Sequence, residues 1–65
     1  MSNLYAKANA SATDCLKKGD FRMAQIWNEI CGKIISAMES GESENSPMGK
    51  YLVVYIINLE NGIVL

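Results

Sequence analysis

The sequence predicts an all-α domain, a helical hairpin followed by a third helix. Three observations lead there. Apolar residues recur at three- and four-residue spacings in two successive stretches. Gly19-Asp20 separates those stretches and can end one helix and cap the next. A last apolar run lies between Ser46-Pro47, a start signal, and Asn61-Gly62, a stop signal.

The first helix is expected over residues 3–18, with Ser2 or Asn3 as its cap. Leu4, Ala8, Ala12 and Cys15 share one face, flanked by Tyr5 and Leu16. Most of these side chains are small, so a neighbouring backbone can come close. Lys17 and Lys18 close the helix, and Gly19 suits the left-handed position that follows a helix end.

The second helix is expected over residues 20–39. Phe21, Ala24, Trp27, Cys31, Ile34, Ile35 and Met38 lie along one side, and Met23, Ile26 and Ile30 widen it. Together they cover about half the circumference. A helix that only packs on its hairpin mate needs a narrower stripe. The surplus around Met23, Ile26 and Ile30 must therefore meet either the C-terminal segment or another molecule. Gly32, costly in a helix interior, reads as a close crossing or a slight bend.

Residues 40–46 are small, polar and acidic, and read as a mobile loop. The apolar segment over 47–65 is expected to be helical. Tyr51, Leu52, Tyr55, Ile56 and Leu59 share a helical face, and both ends carry helix signals. Its β-branched residues leave an α+β alternative, with a C-terminal strand or hairpin turning at Asn61-Gly62. Ile63, Val64 and Leu65 would make a poor return strand. Either way the segment is apolar nearly all round, which demands burial in the core or in a subunit interface.

Sixty-five residues allow a single domain over 1–65, and one of marginal stability alone. There is no histidine, and two cysteines cannot complete a four-ligand zinc site, so no metal or other cofactor is expected. Cys15 and Cys31 read as reduced thiols packed as small apolar groups. Missing stability then points to a homo-oligomer or a protein partner. A net charge of −1 argues against nucleic-acid binding. The one basic cluster, Lys17, Lys18 and Arg22, suits a helix C-terminus. The longest apolar run, Tyr51 to Ile57, is too short to span a bilayer, and nothing reads as a signal peptide. A cytoplasmic location is the resulting expectation.

No catalytic arrangement is legible. The commonest general base is missing, the glycines are scattered, and the acidic residues concentrate in the loop. A non-enzymatic binding protein is expected. Candidate partner-binding residues are Met23, Ile26, Trp27 and Ile30, then Tyr51 and Tyr55. Trp27 serves equally as the core of the hairpin. Met23 and Ile26 lie off its stripe, so a charge there is expected to abolish capture and spare helicity.

Gly19-Asp20-Phe21, then Ala24, Trp27 and Ile30, resembles the turn and second helix of a tetratricopeptide unit. With Tyr5, Ala8, Ala12 and Leu16, the pattern over residues 4–38 more closely resembles the small AraC negative regulator family. The resemblance implies a protein that binds an AraC-type transcription activator and prevents its dimerisation or DNA binding. It also implies contact with nucleoid-structuring proteins. Members of that family tend to end in a charged helix, whereas this chain ends in a mostly apolar one. A structural or chaperone-like homo-oligomer, or a phage-encoded inhibitor of another host protein, is the alternative.

Overall fold

In the computed structural model, which describes residues 1–63, the chain forms three helices: α1 (Ser2–Lys17), α2 (Phe21–Glu39) and α3 (Pro47–Glu60). The fold is all-α, a hairpin of α1 and α2 with α3 laid chiefly on α2. The third segment is therefore helix and not strand. Val64 and Leu65, the end of the expected apolar segment, lie outside the described residues.

All three helices end in the same way. Lys18, Ser40 and Asn61 are the last helical caps, and each is followed by a glycine with φ near 80°. Behind α1, the Gly19 N–H donates to the Leu16 carbonyl (3.1 Å) and the Asp20 N–H to the Cys15 carbonyl (2.9 Å). Gly41 and Glu42 repeat this pair of bonds behind α2, and Gly62 and Ile63 behind α3. This is the Schellman motif, and its left-handed residue is cheap only for glycine.

The starts differ. Asp20 caps α2 by accepting from the Met23 N–H at 3.2 Å. Ser46 caps α3 by accepting from the Gly49 N–H at 3.0 Å, with Pro47 in the first turn. α1 starts one residue earlier than expected, and neither Ser2 nor Asn3 caps it; Met1 holds that position with no side-chain bond. The Met1 ammonium instead lies 3.2 Å from a Glu44 carboxylate oxygen.

One cluster forms the core. Ala8 and Ala12 of α1 meet Trp27, Ile30, Cys31, Ile34 and Ala37 of α2, and α3 adds Leu52, Ile56 and Leu59. The alanines on α1 let the hairpin close tightly, as their spacing suggests. On α2 the buried face is turned from the one expected. Phe21 is 69% exposed, and Ile35 and Met38 are also exposed, whereas Ile30 is buried and Met23 and Ile26 pack against the core. The expected surplus around Met23, Ile26 and Ile30 is thus met within the chain's own core.

The loop over residues 40–46 is hydrogen-bonded to the start of α3. The Ser46 hydroxyl donates to the Ser43 carbonyl at 2.7 Å while its oxygen caps α3. Gly49 is buried beneath this turn, and a β-carbon there would collide with the Ser43 carbonyl oxygen and lie 2.7 Å from the Glu44 α-carbon. A 3.1 Å ion pair between Lys7 and Glu60 ties α1 to α3.

Candidate functional site

The six residues expected to bind a partner do not form one surface. Trp27 and Ile30 are 4% and 2% exposed and belong to the core. A partner reaches neither without unfolding the hairpin. Met23 and Ile26 are half-buried against the same cluster, so a charge at either strikes the fold as well as any partner. The expectation that such variants spare helicity is thereby corrected. Tyr51 is exposed, whereas Tyr55 is half-buried against the core like Met23 and Ile26. They are neighbours on α3, with ring centroids 5.9 Å apart and planes tilted by 55°.

Tyr51 forms one wall of a groove of about 620 Å³ between α2 and α3. Met48 extends the wall one turn towards the start of α3, where it is also exposed. The floor is set by Gly32 and Ser36, one turn apart on α2 and too small to fill the space. Gly32 marks no close crossing, since a β-carbon there would meet nothing within 4 Å. It widens the groove instead. Glu29 and Lys33 put opposite charges on the rim. The Lys33 ammonium sits 6.0 Å from the Tyr55 ring centroid, at the outer limit of a cation–π contact.

Sequence reasoning missed Met48, Gly32 and Ser36 as groove residues. Gly32 and Ser36 stand on the polar side of α2, and only the position of α3 turns that side into a floor. A glycine and a serine four residues apart were the available signal.

Cys31 is buried, and burial pushes its thiol above the usual range, away from the reactive thiolate. Cys15 is half-buried and free. Among the described residues no cluster of three histidine, cysteine or acidic side chains could hold a metal ion. No helix there is long and apolar enough to cross a membrane.

No protein-family model matches the chain, and neither a curated protein nor a solved structure shows significant similarity to it.

Proposed function

We propose that this chain is a non-enzymatic, cytoplasmic regulator that captures a protein partner in the groove between α2 and α3. The observation that carries the reading is the groove itself. It is open, floored by small residues, and walled by Met48 and Tyr51, whose apolar surface faces solvent. Such a groove accepts an amphipathic helix, with large apolar anchors entering over the small floor residues. Large aromatic and methionine side chains at its edge are the usual hot-spot types.

An AraC-type activator is the first partner to test, because the turn and second helix resemble the AraC negative regulators over Gly19, Phe21, Ala24 and Trp27. In that reading the chain masks a dimerisation or DNA-binding surface of the activator. The test is capture of a purified AraC-type activator by this protein and by Met48→Glu. Capture that is lost in the variant, with helicity and melting unchanged, supports the groove. Equal capture by both proteins removes the groove from the reading, and no capture by the unaltered protein removes the activator.

A further inference from the structure

Four of the seven acidic side chains are already engaged. Asp14 pairs with Lys18, Glu44 with the Met1 ammonium and Glu60 with Lys7, and Asp20 caps α2. Glu29, Glu39 and Glu42 have no ion-pair partner among the described residues. Two of these three, Glu29 and Glu42, line the groove between α2 and α3. Along α2 its lining runs from Glu29 to Ser40, about 16 Å of helix. Glu42 follows in the turn behind, so the two carboxylates stand at opposite ends. The apolar wall of Met48 and Tyr51 lies alongside. Lys33 is the one cation in the lining, and its ammonium stands towards α3, 6.0 Å from the Tyr55 ring centroid.

We propose that the occupant of this groove is a basic amphipathic helix of about three turns, with a cation at each end of an apolar centre; the pattern presupposes that a partner helix occupies the groove at all. Positions i, i+4, i+7 and i+11 of a helix fall on one stripe. Lys or Arg at i and i+11 then reaches Glu29 and Glu42, and large apolar residues at i+4 and i+7 enter over Gly32 and Ser36. The pattern reads alike from either end, so it serves a helix laid in either direction. An acidic helix of the same shape sets like charges together at both ends, which selects against it.

Two labelled, alanine-based synthetic peptides of about 15 residues test the assignment on the intact protein by fluorescence anisotropy. Both carry Leu at i+4 and i+7 and a staple on the far face. One has Lys at i and i+11, the other Glu. The Lys peptide is expected to bind at least about tenfold more tightly at low salt, with the preference shrinking as salt is raised to about 0.5 M. Glu29→Gln and Glu42→Gln should each cut the preference about threefold. Reversal of both carboxylates to Lys should invert it.

Gly32→Leu separates the charge pattern from the groove itself. A β-carbon at position 32 meets nothing within 4 Å, so the leucine fills the floor without altering charge and should abolish binding of the Lys peptide. Equal affinity for the two peptides, both lost in Gly32→Leu, keeps the groove and overturns the basic partner. Lys-peptide binding that persists in Gly32→Leu lies elsewhere on the molecule and overturns both. Binding of neither peptide to the unaltered protein overturns the basic partner alone, since capture of an activator is read separately through Met48→Glu.

Discussion

The Ser43 carbonyl oxygen occupies the space that a β-carbon on Gly49 would need. This relationship joins the acidic loop to the first turn of α3 and fixes where α3 begins. It also separates two glycines that look alike in the sequence. Gly49 and Gly32 both stand inside helices with helical backbones, yet one is crowded and the other open. Alanine should therefore act in opposite directions at the two sites. Gly32→Ala is expected to stabilise the protein by about 0.5–1 kcal/mol, the usual gain over glycine in a helix interior. Gly49→Ala must displace the Ser43–Glu44 backbone, and overpacking of this kind costs about 1–3 kcal/mol. Urea unfolding of both variants checks the pair. A loss at position 32, or no loss at position 49, would contradict the packing described.

Ser46 carries two bonds through one hydroxyl, and the two can be told apart. Its oxygen accepts from the Gly49 N–H, and its proton goes to the Ser43 carbonyl. Ser46→Ala removes both and is expected to cost about 1–2 kcal/mol. Ser46→Asp keeps a cap acceptor but has no proton for Ser43, and it brings a carboxylate against that carbonyl. Its stability should fall between those of serine and alanine. Ser46→Thr retains both functions and should stay within about 0.5 kcal/mol of the parent. An aspartate variant as stable as the parent would show that the bond to Ser43 contributes nothing.

The boundaries of the fold were legible where a local signal sets them. Gly19 with Asp20, and Ser46 with Pro47, mark their turns and starts through backbone preferences that operate within a few residues. Gly41 plays the same part as Gly19, yet the serines and acids around it read only as a loop. On α3 the face named from spacing was largely the buried one, since Leu52, Ile56 and Leu59 are core and Tyr55 packs against it, but Tyr51 is exposed, and a helix apolar nearly all round gives little contrast at the edges of its face. For the same reason Trp27 stayed open between core and interface, and the stripe of α2 was set too far towards Phe21. Each of these depends on where α3 settles, which no spacing within α2 records. The groove is a product of that docking, so Met48 joined no candidate surface until the docking was seen.

The two thiols should differ in reactivity and in what they do to stability. Cys15 is half-buried and Cys31 is buried. A soluble disulfide reagent should modify Cys15 first and reach Cys31 only when the protein opens. Burial raises the Cys31 pKa in the folded state above its value in the unfolded chain. The folded protein then holds the thiol proton more tightly, so stability from this residue is complete below the unfolded thiol value of about 8.5. It is lost as pH rises from there through the folded value. Lys18, raised by its hydrogen bond and charge contact with Asp14, stays protonated in both states over this range, and its contribution is lost only above the usual lysine range. Unfolding free energy measured from pH 7 to about pH 9.5 should fall for the parent and for Cys15→Ala. The decline should be absent in Cys31→Ala, and an equal decline there would assign it to other groups.

Trp27 decides how binding experiments on this chain are to be read. It is almost wholly buried, among core residues drawn from all three helices. Its fluorescence should be blue-shifted and shielded from acrylamide at every protein concentration. Because the burial is supplied within one chain, dilution should leave the emission unchanged. Removal of the ring is another matter. Trp→Ala in a core costs about 3–5 kcal/mol, and a single core in so small a protein rarely supplies more than that. Trp27→Ala is therefore expected to unfold the chain, with loss of its helical circular dichroism. Lost partner capture in that variant would report the missing fold and not a missing contact. Met48→Glu, exposed on the groove wall, should keep the circular dichroism and the Trp27 emission of the parent. A folded Trp27→Ala protein with red-shifted parent emission would place the indole outside the core and restore it as a contact residue.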